Sequence, residues 1–142
     1  ILGWSLGAAN AFNIGWNYPD CFGVVGGFSS SFWLSKNSSD TSTQLVQQII
    51  ASKPLPENFK VWLAVGLKEE TDDRDSDGII DVLDDSQNVV KALEDKVLQS
   101  VKPKVSYDFS VTTFADGEHN QESWKQMLPI FLQWAYPVDY EK

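Results

Sequence analysis

Gly3-Trp4-Ser5-Leu6-Gly7, near the first residue of the 142-residue chain, fits the pattern G-x-S-x-G. This pattern is typical of a strained turn from a strand into a helix, which exposes a serine hydroxyl for attack on a substrate. Glycine is expected on both sides of the serine because the turn leaves little room for larger side chains. With ordinary Gly and Ser frequencies, such a match arises by chance in about one chain of this length in twenty. The rest of the sequence must therefore support the prediction.

The composition is that of an acidic folded domain, with 42% hydrophobic residues and a formal net charge of -9. The chain is long enough for a hydrophobic core but for no more than one domain. Nucleic acids and anionic membranes select basic surfaces, so neither is an expected partner. No apolar run approaches the roughly 20 residues of a membrane span. The single cysteine, Cys21, excludes an internal disulfide, and the apolar run beside it predicts a buried thiol.

Helical and strand patterns alternate along the sequence. Apolar residues at helical spacing predict four helices, over residues 6–16, 44–52, 86–100 and 124–135. Two short apolar runs predict buried strands, and strict alternation predicts a half-buried edge strand; these cover residues 22–28, 61–66 and 105–114. Such an order indicates an α/β fold, with a parallel sheet flanked by helices on both faces.

The first strand of this sheet is nearly missing, since only Ile1 and Leu2 precede the serine motif. A complete sheet of this kind needs further strands upstream. We therefore expect residues 1–142 to be the C-terminal part of a single domain, which needs its own N-terminal half to be complete.

The sequence has a single histidine, His119, in a glycine-containing loop between the last predicted strand and the last predicted helix. A serine nucleophile needs a base, and histidine most often fills that role. The loop follows the carboxyl end of a parallel strand, where open α/β sheets bind their ligands. The sequence therefore predicts that His119 is the base for Ser5.

Three segments resemble the putative-esterase family of α/β-hydrolases, which includes feruloyl, S-formylglutathione and siderophore esterases. They are GWSLGAANAFNIGWNYPDCFGVVGGFSSSFW from Gly3, WLAVGLKEE from Trp62 and DGEHNQESWKQMLPIFLQW from Asp116. Their order along the chain, with the serine first and the histidine last, is also that of α/β-hydrolases. The resemblance implies the C-terminal half of an α/β-hydrolase, with Ser5 as nucleophile and His119 as general base. It also makes the backbone N–H of Leu6 one oxyanion donor, the second coming from an upstream loop.

The resemblance places the catalytic acid just after the glycine that ends the third strand, which implies Glu69. Glu70 and Asp72 are close enough in sequence to compete for this role. Trp4, Phe32 and Trp33 lie near predicted strand ends, where they would either line the substrate pocket or pack in the core.

The segment DRDSDGIIDVLD, residues 73–84, departs from the family and fits a calcium loop of EF-hand type. In such loops, carboxylates stand at positions 1, 3 and 5, a glycine permits the turn at 6, and position 7 offers its carbonyl. The candidate ligands are the carboxylates of Asp73, Asp75, Asp77, Asp81 and Asp84 and the carbonyl of Ile79. The alternative is a solvated acidic loop. We expect a structural calcium ion in a weak site of extracellular type, and hence a secreted or periplasmic protein, although no signal peptide is visible.

Together these patterns predict a serine carboxylic-ester hydrolase that acts on a small-molecule ester through an acyl-enzyme, without an organic cofactor. One alternative is a non-catalytic, calcium-stabilised α/β binding module whose triad has decayed. Another is an acyltransferase of the same fold. The sequence does not identify the ester.

Overall fold

The computed structural model describes residues 1–37, 39–100 and 106–138. Within these ranges, four strands and four α-helices alternate along the chain. The strands are β1 (Leu2–Trp4), β2 (Val24–Phe28), β3 (Lys60–Gly66) and β4 (Asp108–Phe114). The helices are α1 (Leu6–Asn17), α2 (Leu45–Ser52), α3 (Asp81–Gln99) and α4 (Gln121–Ala135). All paired strands are parallel, in the order β1-β2-β3-β4.

Helices cover both faces of this sheet, as the sequence predicted. On one face, α1, α2 and α3 pack on inward-facing strand residues such as Val61 and Leu63. On the other face, Met127 and Phe131 of α4 pack against Phe28, Trp62 and Ala64. Strand β3 is therefore buried on both faces, which is usual for a parallel sheet and explains its continuous apolar sequence. The α/β fold class is confirmed.

Helix α3 begins at Asp81 and not at the predicted Ser86. Its first turn carries Asp81 and Asp84, and carboxylates favour helix N-termini because they interact with the positive end of the helix dipole. The earlier start places the last part of the acidic segment on the helix. Strand β4 begins at Asp108, and the predicted first strand residue, Val105, lies outside the described residues.

The prediction for Cys21 was wrong, because its side chain is exposed. Cys21 lies in the turn after α1, and full burial resumes only at Val25 in β2. Among the described residues, no helix combines the length and the apolar character needed to cross a membrane.

Candidate active site

Ser5 lies in a strained turn between β1 and α1, with φ 54° and ψ -129°. Such angles are uncommon for a residue with a side chain and are often found at functional sites. The backbone N–H of Ser5 donates to Phe28 (3.0 Å), and its carbonyl accepts from the N–H of Ser31 (3.2 Å), so β2 and its following loop hold the turn. A Cβ on Gly3 would overlap the carbonyl of Gly7, whereas no described atom lies within 4 Å of a Cβ built on Gly7. The expected crowding is therefore found at the first glycine only.

His119 follows β4 and is held between a tight turn and the start of α4. Gly117 packs so closely on Gly66 at the end of β3 that a Cβ on Gly66 would overlap the Gly117 carbonyl. After the histidine, the Asn120 side chain caps α4 by accepting a hydrogen bond from the N–H of Ser123 (2.9 Å). These contacts fix the histidine loop over the carboxyl ends of β3 and β4.

The structure brings Ser5, His119 and Glu69 together in one hydrogen-bonded chain. The Nε2 of His119 lies 3.0 Å from the Oγ of Ser5, and its Nδ1 lies 3.3 Å from the Oε2 of Glu69. The Glu69 side chain is 2% exposed, whereas that of His119 is 43% exposed. An ionised carboxylate only accepts hydrogen bonds, so this pairing places the imidazole proton on Nδ1. The unprotonated Nε2 can then accept the proton of the Ser5 hydroxyl.

The second oxygen of Glu69 has two donors of its own. Its Oε1 accepts from the backbone N–H of Gly66 (2.6 Å) and from the Oγ of Ser29 (2.7 Å). Ser29 in turn accepts from the indole Nε1 of Trp124 (2.7 Å). Sequence reasoning gave Ser29 no role, although it belongs to the serine run that ends β2. It also assigned Trp124 to the family motif without finding its polar contact.

Of the three candidate acids, the structure brings only Glu69 within hydrogen-bonding distance of His119. The Glu70 carboxylate turns instead toward α3, where it accepts from the backbone N–H of Val82 (2.7 Å). Burial raises the pKa of Glu70, and that hydrogen bond opposes the shift. The backbone carbonyl of Asp72 accepts from the N–H of Asp81 (2.8 Å), which places Asp72 beside the same helix terminus.

Leu6 is the first residue of α1, directly after Ser5. The N–H groups of a first helical turn have no intrahelical acceptor, and they bind anions readily. The backbone N–H of Leu6 is therefore positioned for negative charge that develops beside Ser5. Ser31, which no sequence pattern indicated, also lies beside the site, with its Oγ 3.4 Å from that of Ser5.

Of the three aromatic residues predicted near the substrate, Phe32 packs in the core, and the two tryptophans occupy different environments. Trp4 is 48% exposed, and its ring stacks on that of Trp124, with 5.6 Å between centroids. Trp33 is 54% exposed and borders a cleft of about 720 Å³. The remaining walls of this cleft are mostly acidic and include Asp40, Glu70, Asp72, Asp75, Asp81 and Asp84.

The acidic loop brings together three of the predicted calcium ligands. Oxygens of Asp73, Asp75 and Asp77 lie within 4.8 Å of one another. The Asp73 carboxylate accepts from the N–H groups of Asp77 (3.1 Å) and Gly78 (2.9 Å), which curls the loop around it. Gly78 has φ 89°, which glycine adopts without strain.

The last two predicted carboxylates lie on α3 and have different neighbours. Asp81 accepts from the backbone N–H of Arg74 (2.8 Å) and pairs with its Nε (3.2 Å). Arg74 also makes two 2.9 Å hydrogen bonds to the buried Asp85, a bidentate pair that raises the pKa of the guanidinium. The pKa of Asp84 is raised first by burial and then by nearby carboxylates, including Asp75. Asp84 therefore lies close enough to the acidic loop for its carboxylates to raise the pKa of Asp84. Asp81 instead shares the positive charge of Arg74 with Asp85.

The hydrogen-bonded chain of Ser5, His119 and Glu69 lies at the carboxyl edge of the parallel sheet. A match between this sequence and a known protein family agrees with that arrangement. Residues 1–134 match the model of the family described as "Putative esterase". The chain belongs to this esterase family. No curated protein matches the chain closely enough to count as a relative.

Solved structures similar to this esterase-family chain share its fold at low sequence identity. A ferulic acid esterase is 20% identical, with a TM-score of 0.58 over 94% of this chain and 48% of its own. The enterobactin esterase of Shigella flexneri is 19% identical, with a TM-score of 0.61 over 95% of this chain and 32% of its own. The S-formylglutathione hydrolase of Staphylococcus aureus is 18% identical, with a TM-score of 0.57 over 94% of this chain and 49% of its own. The chain thus spans about a third to a half of the length of these proteins.

Proposed function

We propose that the chain supplies the catalytic triad of a serine carboxylic-ester hydrolase, in which Ser5 is the nucleophile, His119 the base and Glu69 the acid. The observation that carries this proposal is the continuous hydrogen-bonded chain from Ser5 Oγ through both nitrogens of His119 to the buried Glu69 carboxylate. Membership of an esterase family supports the same chemistry.

In the proposed mechanism, the Oγ of Ser5 attacks the ester carbonyl carbon while Nε2 of His119 takes the hydroxyl proton. The oxyanion forms beside the backbone N–H of Leu6, which stabilises the negative charge. The imidazolium, paired with Glu69, then protonates the leaving alkoxide, and the acyl group stays on Ser5. A water molecule that loses its proton to the same imidazole attacks the acyl-enzyme, and the free acid leaves with regeneration of the Ser5 hydroxyl.

Labelling with a fluorophosphonate probe tests this proposal, because the probe phosphonylates only an activated serine. The protein as naturally expressed is treated with the probe, and its peptides are mapped by mass spectrometry. We expect the adduct on Ser5 and none on Ser76, an exposed serine with a similar backbone φ of 61° but no histidine partner. Absence of an adduct on Ser5 would leave the non-catalytic binding module as the better interpretation.

Acyl transfer shares the acyl-enzyme with hydrolysis, so labelling does not separate the two. The partition of the acyl group between water and an added alcohol separates them. We propose water as the acceptor and expect free acid as the main product.

We propose that Trp33, and Trp4 through its exposed face, contact the small-molecule ester. Trp33 supports this role because it is exposed at a cleft whose lining also includes Glu70, the residue after Glu69. Trp4 directly precedes the nucleophile, although its ring already stacks on Trp124.

We propose that residues 1–142 form the C-terminal part of one α/β-hydrolase domain, whose upstream half pairs with β1 and supplies the second oxyanion donor. The chain spans less than half of each similar structure, in support of this organisation. An apolar groove of about 230 Å³ also lies open along β1, lined mainly by Leu2, Trp4, Phe28, Trp124 and Leu128. An upstream segment packed on this edge would cover the Leu2 end of the groove, away from Ser5.

We propose that the loop beginning at Asp73 binds a structural calcium ion. The convergence of Asp73, Asp75 and Asp77 and the glycine turn at position 78 support the site. The carbonyl of Ile79 and the carboxylate of Asp84 would add ligands, while Asp81, paired with Arg74, would act through water. Solitary loops of this type belong with weak extracellular sites, which fits a secreted or periplasmic protein.

A further inference from the structure

A line of hydrogen bonds connects helix α4 to the histidine through two side chains outside the triad. The indole Nε1 of Trp124 lies 2.7 Å from Ser29 Oγ, and Ser29 Oγ lies 2.7 Å from Oε1 of Glu69. The other carboxylate oxygen of Glu69 faces Nδ1 of His119 at 3.3 Å. The line thus runs Trp124–Ser29–Glu69–His119.

The chemistry of these groups gives each hydrogen bond a single direction. An indole N–H can only donate, and an ionised carboxylate can only accept. The Ser29 oxygen therefore accepts from Trp124, and its one proton is directed to Glu69. With the backbone N–H of Gly66 at 2.6 Å, Oε1 of Glu69 has two donors, which leaves Oε2 for the imidazole.

The local structure holds Ser29 in the orientation that this arrangement needs. Ser29 is 1% exposed and has a left-handed backbone with φ 50°. Its backbone N–H donates to the carbonyl of Ala64 in β3 (2.8 Å), so the residue is anchored to the strand that leads to Glu69. The rings of Trp124 and His119 also meet edge to face, with 5.3 Å between centroids and 82° between planes.

We propose that Ser29 and Trp124 are positioning residues that act through Glu69. This role rests on the proposed function. The indole N–H of Trp124 orients the Ser29 hydroxyl. Ser29 in turn fixes the rotation of the Glu69 carboxylate, so that one oxygen faces Nδ1 of His119 in every turnover. Without the two residues, the carboxylate keeps its Gly66 contact but can rotate, and the imidazole loses its orientation toward Ser5.

Three variants of the naturally expressed protein test the inference. Ser29→Gly removes the hydroxyl and still permits the left-handed backbone. Trp124→Phe keeps an aromatic ring beside His119 but lacks the N–H. The third variant combines both changes, because a double-mutant cycle measures whether two residues act through one another.

We expect Ser29→Gly to lower kcat by roughly 10- to 100-fold, the range associated with small misplacements of catalytic groups. KM of this variant should stay within about twofold, since the buried Ser29 side chain is not assigned to substrate binding. Trp124→Phe should lower kcat by a smaller factor. The double variant should match Ser29→Gly alone, because Trp124 has no hydroxyl left to orient.

Two matched variants serve as controls for burial and ring size. Ser30→Ala removes a neighbouring buried hydroxyl that has no hydrogen-bond partner among the described residues. Trp134→Phe removes an indole N–H on the same helix, where the ring packs against Phe131. Both should keep the kcat of the unmodified protein, and Tm is recorded for every variant.

The outcomes separate this inference from the proposed function. Fluorophosphonate labelling of Ser5 in the unmodified protein tests the proposed function alone. If Ser5 is labelled but Ser29→Gly retains kcat within about twofold, the positioning role is overturned and the esterase mechanism stands. The inference would also be overturned if the fall in kcat of the double variant equalled the product of the two single falls. The same holds if kcat falls only in proportion to the loss of folded protein.

Discussion

The Nε2 of His119 lies 3.0 Å from the Oγ of Ser5, although 114 positions separate the two residues in the chain. Ser5 follows β1 and His119 follows β4, which are the first and last strands in the order of the described sheet. The loops after β2 and β3 carry Ser29 and Glu69 between them. Each strand thus contributes one group at its carboxyl end, and the contact depends on the parallel arrangement of all four.

Replacement of Ser5 by alanine tests the most direct consequence of this contact. Loss of the nucleophile of such a triad lowers kcat by about a million-fold, because no other group forms the acyl-enzyme. We expect p-nitrophenyl ester hydrolysis by Ser5→Ala to fall near the uncatalysed rate, with an unchanged far-UV circular dichroism spectrum. Ser76→Ala is the matched control and should keep full activity. A Ser5→Ala protein with a tenth of the original activity would exclude Ser5 as nucleophile.

Single replacements of Glu69, Glu70 and Asp72 test the assignment of the acid. In Glu69→Gln, the two donors at Oε1 select the amide oxygen, so the amide NH2 turns toward Nδ1 of His119. Nδ1 must then accept, the imidazole proton moves to Nε2, and the Ser5 hydroxyl can no longer donate there. By analogy with other mis-set histidine tautomers, kcat should fall by about four orders of magnitude.

The other two replacements are the controls for this experiment. Glu70→Gln keeps an oxygen that can accept from the N–H of Val82, and Asp72→Asn changes a side chain at the rim of the acidic cleft. Both should lower kcat by less than about tenfold, measured on the same ester. An assignment to Glu69 fails if Glu69→Gln is as active as the unmodified protein.

The local sequence predicted those parts of the site that depend on short patterns. Ser5 was found because its turn needs Gly3, and His119 because it is the only histidine and follows a strand. The buried runs of β2 and β3 likewise predicted the central strands. These features are encoded within a few neighbouring residues.

Other parts of the site arise from contacts between distant residues and could not be predicted. Ser29 and Glu69 are 40 positions apart, and Ser29 and Trp124 are 95 apart. The resemblance implied Glu69 as the acid, but the residues alone left Glu70 and Asp72 open. In the structure, the Glu70 carboxylate instead accepts from the N–H of Val82 in the first turn of α3. No single-sequence pattern reports such pairings, because they form only when the strands align.

Expression of residues 1–142 by themselves tests whether they form part of a larger domain. We expect a poorly soluble and inactive product, because among the described residues β1 pairs on one side only and the apolar groove beside it is open to water. Fluorophosphonate labelling and analytical ultracentrifugation measure activity and association. A polypeptide that also contains the proposed upstream half, prepared in parallel, should be soluble and labelled. A soluble, monomeric, active 142-residue product would contradict the half-domain proposal.

Removal of calcium tests the acidic loop. The carboxylates of Asp73, Asp75 and Asp77 repel one another unless a cation neutralises them. Binding to the folded state alone raises the free energy of unfolding by about 1.4 kcal/mol when free calcium is tenfold above Kd. For a site with Kd of roughly 0.1 to 1 mM, EDTA should lower Tm and millimolar calcium should restore it. Magnesium should restore it poorly, because it requires tighter octahedral coordination.

Substitutions distinguish bound calcium from a solvated loop. Asp75→Asn with Asp77→Asn should abolish the response of Tm to calcium, whereas Asp95→Asn, an exposed change near the C-terminal end of α3, should leave it intact. Asp81→Asn should lower Tm with or without calcium, because it weakens the pair with Arg74. The loop follows soon after Glu69 in the chain, so activity should fall in EDTA together with Tm. An identical melting curve in EDTA and in calcium would leave only the solvated-loop interpretation.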